Sequence, residues 1–236
     1  MENQVPPPLR KPSSVPVLEA ALVIVATFFI FLFLSVVFLV TVGEAATLIL
    51  GELLILIVPL IYLLMKRIGV RNYVRIDLNP KYVLIGLGCG GLLLLLNIVV
   101  SEVLTYYFGV SNAVQQANQT LTTLSAQPSG LAAVAISLIL AGVCEEFAFR
   151  GFLQNSVFRS MSAGKLQRLA LPVALVIAAA VFGLFHLDPQ LIYTLAAGIS
   201  GLALGLIYYR WNYTASATAH AFMNILVLIL LLYGIG

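Results

Sequence analysis

Residues 131–150 read LAAVAISLILAGVCEEFAFR. From Leu131 to Cys144 there is no charge, and then two acids, Glu145 and Glu146, are followed at a helical interval by Arg150. A run that is apolar on every side has no face to give to water, so it belongs to a helix enclosed by lipid or by other helices. Ionisable groups at such a depth are costly and mark a functional site.

The rest of the chain repeats the pattern. Of 236 residues, 61% are apolar and only 9% charged, against roughly 45–50% and 25% in a soluble domain. Uncharged stretches predict seven spans, at 20–42, 45–65, 82–104, 129–151, 169–187, 190–209 and 213–235, each near the ~20 residues a membrane crossing needs. The expected fold is all-α, a polytopic membrane helix bundle. Residues 1–16 form a polar, proline-rich tail, and 17–236 a single transmembrane domain. The first apolar run is longer than the ~7–15 residues of a signal h-region, so it is expected to be retained.

Charge placement orients the bundle. All 12 Lys and Arg fall before span one, between spans two and three, after span four, or between spans six and seven. The alternate connections, at 43–44, 105–130 and 188–189, hold none. The positive-inside rule then puts the N-terminus in the cytoplasm, and the expected location is the cytoplasmic membrane of a prokaryote. A net charge of +3 is too slight for a nucleic-acid surface; the expected partners are the lipid bilayer and a membrane-associated protein or peptide.

Several features need no chemistry. Residues 66–81 mix basic and apolar side chains and read as a surface-lying connector satisfied by anionic lipid, with a lipid sensor as the alternative. The loop at 105–130 is rich in Ser, Thr, Gln and Asn and reads as flexible; Asn118-Gln119-Thr120 is a chance-level sequon. Cys89 and Cys144 read as packing residues. Gly86, Gly88, Gly90 and Gly91, with Gly198, Gly201 and Gly205, suit close helix approach.

What remains is a short set of polar groups inside predicted spans. Adjacent carboxylates on a helix point about 100° apart, so Glu145 and Glu146 cannot share one environment. Glu146 precedes Arg150 by four residues, the favourable order for an ion pair, which leaves Glu145 without an evident partner. Burial raises the pKa of such an acid toward values useful to a general base. The bland alternative is a membrane-edge salt bridge with both acids reaching water.

His186 and His220 are the two histidines of the chain. His220 and Asn224 share a helical face from which their N–H groups can hold an oxyanion, while Glu145 and His186 can polarise a water for attack on a carbonyl. Glu145, His186 and His220 are equally a zinc-ligand set with one position left open, so no cofactor is certain and Zn is the one the donors would take. The HExxH signature is absent.

In this order, Glu145-Glu146-x-x-x-Arg150, Phe182-x-x-x-His186 and His220-x-x-x-Asn224 resemble the three signature motifs of the CPBP (CAAX protease and bacteriocin-processing, or Abi) family, which includes the Ras-converting CAAX endopeptidase. The agreement covers roughly residues 129–232. The resemblance implies an intramembrane endopeptidase, with Glu145 as general base, His186 helping to bind water, and His220 and Asn224 stabilising the oxyanion. It makes Glu146, Arg150 and Phe182 supporting residues, and family names that say metalloprotease leave the metal open. Rival readings are a catalytically inactive scaffold of the same fold, a proton-coupled transporter, and a bis-histidine haem protein.

One expectation is difficult for straight helices. Glu145 lies well down span four, His186 near the far end of span five and His220 two turns into span seven, at unequal depths. Convergence requires tilted helices, or a fifth span that starts deep, near Pro172.

Overall fold

A computed structural model describes residues 15–234. Of the N-terminal tail, residues 1–14 lie outside the described residues, as do the last two positions. Helix α1 (Val17–Val42) turns at Gly43, whose φ of 83° favours glycine, into α2 (Glu44–Met65). A short α3 (Val70–Val74) leads to α4 (Pro80–Phe108), which starts with Asn79 as N-cap and Pro80 in the first turn, where its missing N–H costs nothing. Then come α5 (Asn112–Ser125), α6 (Pro128–Glu146), a π-helical stretch (Phe147–Gln154) and α7 (Asn155–Ser162). A 3-10 turn (Gln167–Leu169) precedes α8 (Ala170–Phe185), followed by α9 (Ile192–Arg210) and α10 (Tyr213–Leu232).

Seven of these helical segments are long and apolar enough to cross a membrane, and there is no strand among the described residues. The chain is therefore the all-α polytopic bundle the sequence predicts. Helices satisfy their own backbone groups where lipid offers no partner, and outward faces such as Phe29, Phe33 and Val40 are 63, 69 and 83% exposed.

Three expectations are corrected. Span four does not end at 151: the helical path from Pro128 to Ser162 is continuous and includes the π-helical stretch. The loop at 105–130 is not irregular. Helix α4 runs on to Phe108, and Ser111 then caps α5, its hydroxyl accepting from the Val114 N–H. The connector at 66–81 is more than a surface strap, since Tyr73 and Val74 are buried in the core. The Tyr73 hydroxyl pairs with Ser156 at 2.7 Å, and a side chain on Gly151 would stand 2.4 Å from Val74 Cγ1.

Small residues set the depth of packing around α10. A Cβ on Gly86 or Gly90 of α4 would come within 2.8 and 2.7 Å of the carbonyl oxygens of Ala215 and Ala219. One on Gly142 of α6 would lie 2.4 Å from the Ala221 nitrogen. Close backbone approach is what small residues permit between membrane helices. Gly88 and Gly91 have nothing within 4 Å, so the packing reading holds for one pair of the cluster and not for the other.

A buried carboxylate between two histidines

The long helix and α8 form a hairpin, and its arm lengths resolve the depth problem. Seventeen residues separate Glu145 from Ser162, and sixteen separate Ala170 from His186. At about 1.5 Å per residue both side chains return to one level. His186 is not inside a span, as the sequence suggests, but is the C-cap of α8. Its ring closes the helix end, with Nδ1 2.9 Å from the Phe182 carbonyl oxygen. That oxygen can only accept, so Nδ1 carries the proton and the Nε2 of the neutral ring is an acceptor.

Helix α10 runs antiparallel to α6 along the same stretch. The Tyr213 hydroxyl donates to the Val143 carbonyl at 2.9 Å, and the Asn224 amide donates to the Leu138 carbonyl at 3.2 Å. Between these two anchors, His220 is brought to both acids. Its Nδ1 lies 3.2 Å from Glu146 Oε1, and its Nε2 lies 3.8 Å from Glu145 Oε2. Glu145 Oε1 lies 4.0 Å from His186 Nε2. Oε2 of Glu145 is buried with no hydrogen-bond partner.

Glu146 has the structural role its spacing suggests. It is fully buried and pairs with Arg150 Nη1 at 3.0 Å, and the Ser216 hydroxyl donates to its other oxygen. Arg150, also fully buried, donates to the Gly201 carbonyl at 3.2 Å, and its guanidinium sits 4.2 Å from the centre of the Phe182 ring. A buried ion pair depends on further hydrogen bonds to its remaining donors and acceptors; both oxygens of Glu146 have partners, while Arg150 Nε has none. Phe182 meets the His186 ring at 4.6 Å and the His220 ring at 5.8 Å. It thus packs against the guanidinium and both imidazoles.

All four residues expected to do chemistry, Glu145, His186, His220 and Asn224, line one cavity of about 200 Å³, with Phe182 in its wall. Glu146 and Arg150 stand behind it. The expectation of one meeting point is met, by a route the helix pattern does not show. Four further polar residues share the wall: Glu52 of α2, Asn97 of α4, and Tyr193 and Ser200 of α9. Glu52 leaves its Oε2 buried and unpartnered. Its signal was in the sequence, as the one ionisable group in the interior of the second span, but nothing in the linear chain says which way it faces.

Zinc is a separate question. Ligands at 2.0–2.2 Å around a tetrahedral metal stand roughly 3.3–3.6 Å apart. The Glu145 separations of 3.8 and 4.0 Å are wider, and among the described residues no three His, Cys, Asp or Glu side chains are grouped to hold a metal ion. The donor types are right and their second ring nitrogens are tethered, but as placed they do not form a zinc cage.

One acid outside the spans has a different task. Asp188, in the α8–α9 connection, accepts from Ser111 Oγ at 2.8 Å and from Thr194 Oγ1 at 3.2 Å. Burial by itself would raise its pKa, but these bonds outweigh that and hold it below the usual carboxylate range. It ties the start of α5 to the start of α9.

Fold and site together define a class: a polytopic helical membrane protein with a carboxylate, two imidazoles and an amide facing one interior cavity. Residues 127–226 match the model of the Rce1-like type II CAAX prenyl endopeptidase family, so the resemblance to the CPBP family holds over the segment that carries the three motifs. No curated protein and no solved structure matches the chain.

Proposed function

We propose that this protein is an intramembrane endopeptidase that hydrolyses peptide bonds of membrane-associated proteins or peptides, including prenylated CAAX-type substrates, with water activated by Glu145. The observation that carries this reading is the Glu145 carboxylate, buried and with an unpartnered oxygen, set between the Nε2 atoms of His186 and His220. A water held there donates one hydrogen to Glu145 and the other to the His186 Nε2 lone pair. Glu145 removes its proton as the oxygen attacks the scissile carbonyl. The carbonyl oxygen, now an oxyanion, accepts from the free amide hydrogen of Asn224 and from Nε2–H of His220 in its doubly protonated form, whose Nδ1–H is given to Glu146. Collapse breaks the C–N bond, and the proton on Glu145 passes to the leaving amine, which restores the carboxylate.

Glu146 and Arg150 act through His220. The bond from Nδ1 to Glu146 fixes the ring so that Nε2 faces the cavity, the arrangement by which a buried carboxylate orients an imidazole. Phe182 holds both rings in position. The site lies among membrane-spanning helices, so an apolar or lipidated tail would deliver a substrate sideways from the bilayer. By the positive-inside argument the N-terminus and the basic connections face the cytoplasm.

Proteolysis of a labelled, membrane-anchored peptide by reconstituted protein tests this. Glu145→Gln is expected to lower kcat by about 10²–10⁴ while leaving the helical spectrum and thermal midpoint in place. A rate unchanged by Glu145→Gln would remove Glu145 as the general base, and no cutting by the wild-type protein would leave an inactive scaffold or a proton-coupled transporter instead. Loss with Gln but not with a strong chelator supports metal-free chemistry, and loss with both assigns Glu145, His186 and His220 to a metal. Equal cutting of soluble and anchored peptides would refute delivery from the bilayer.

A further inference from the structure

The bundle contains a second cavity, of about 550 Å³, away from Glu145. Arg75, from the α3–α4 connection, Arg159 of α7 and Arg210 at the end of α9 all line it, together with Tyr208 and Tyr209. No Asp or Glu is in its wall. Among the described residues, the ion pairs are those of Lys66, Arg150 and the two histidines, so none of these three guanidiniums has a carboxylate partner.

Their neighbours are dipoles and rings. Arg75 donates to the carbonyls of Tyr208 at 3.1 Å and Trp211 at 2.6 Å, capping α9, whose C-terminus is worth about half a negative charge. Arg159 donates to the Asn155 side chain at 3.1 Å and lies 4.9 Å from the Tyr73 ring centre. Arg210 lies 5.7 Å from the Trp211 ring centre. Three positive charges around one hollow, offset by one helix end, favour an anion. Guanidinium forks match phosphate oxygens in pairs and have donors to spare here.

Position selects among anions. Arg210 closes a 19-residue membrane helix, and Arg75 lies in the connection between two others, so the cavity is at headgroup level. The carboxylate of a peptide cut at Glu145 is a poor candidate. Arg159 is roughly 20 Å along the helix from Glu145 at 1.5 Å per residue, so such a peptide would have to extend about six residues beyond the reacting bond. We infer that this cavity is a binding site for the phosphodiester headgroup of an anionic phospholipid, assembled by Arg75, Arg159 and Arg210 from three separate segments.

The test uses the full-length protein in a neutral detergent, titrated with short-chain phosphatidylglycerol, short-chain phosphatidylcholine or free glycerol phosphate, with binding read by thermal shift and native mass spectrometry. Phosphatidylglycerol is expected to bind saturably and raise the melting temperature. Phosphatidylcholine, whose choline offsets its phosphate, should not. Arg159→Gln and Arg210→Gln should each weaken binding about fivefold, and together about 25-fold. Arg75 is left intact because it caps α9. If the double variant does not fold, the Arg210→Gln single variant carries the same test. Equal binding of phosphatidylcholine, or unchanged affinity in the arginine variants, would overturn the site. An equal shift with free glycerol phosphate would overturn the lipid as its source.

Discussion

Helix α1 and the path from Pro128 to Ser162 are both apolar, yet they do opposite things. The best membrane window of α1 has a mean hydropathy of 3.1 with 11% of its residues buried in the protein, against 1.9 and 50% for the later segment. The more hydrophobic helix is the less buried one. Lipid is as apolar as leucine, so hydrophobicity alone gives a membrane helix no reason to sit inside the bundle. What draws the later segment to the centre is its polar content, because Glu145, Glu146 and Arg150 can be accommodated only where other helices supply partners.

The contrast breaks most sharply at the buried ion pair. Arg150→Met removes the guanidinium partner of the buried Glu146, and is expected to cost about 3–5 kcal/mol, seen as a large drop in thermal midpoint and loss of activity. Glu146→Leu combined with Arg150→Met should recover part of that stability without recovering activity, because His220 loses the partner that orients it.

A sharper test crosses the boundary between the N-terminal helices and the segment that matches the family. Glu52 belongs to α2, outside the residues that match the family, yet it lines the cavity. Glu52→Gln keeps the shape of the wall but removes the acid, and is expected to lower kcat with little change in thermal midpoint. An unchanged kcat would confine the working site to the C-terminal half.

Smaller again is the effect of pH on Asp188. Its folded pKa is depressed, so its contribution is fully present above the ordinary Asp value of about 3.9 and is lost as pH falls through the lower folded value. Asp188→Asn should therefore lower the thermal midpoint at neutral pH, and the gap to wild type should narrow progressively below about pH 4. Phe33→Ala on α1, 69% exposed to the surroundings, should change stability by less than about 0.5 kcal/mol.

Legibility in the sequence followed the physics. Seven spans were readable because a bilayer imposes a length and an absence of charge. The ion pair was readable because four residues make one helical turn, and Glu145 stood out because a lone acid in such a run needs a reason. Helix α5, within 105–130, was harder, since its polar composition resembles a loop and only the cap at Ser111 and packing against α6 distinguish it. The inward turn of Tyr73 and Val74 depended on the gap left at Gly151. Glu52 showed its cost but not its direction.

The sequence by itself determined that this chain is a bundle of membrane helices and which few polar groups it holds inside, because the solvent penalties that set those features act on each residue locally. Only the tertiary structure decided that those groups meet. Equal arms of the hairpin bring Glu145 and His186 to one depth, and backbone contact at Gly86, Gly90 and Gly142 lets α10 carry His220 in between. Such distances depend on how long each helix runs and how near its neighbour can come, and neither is written in any single segment.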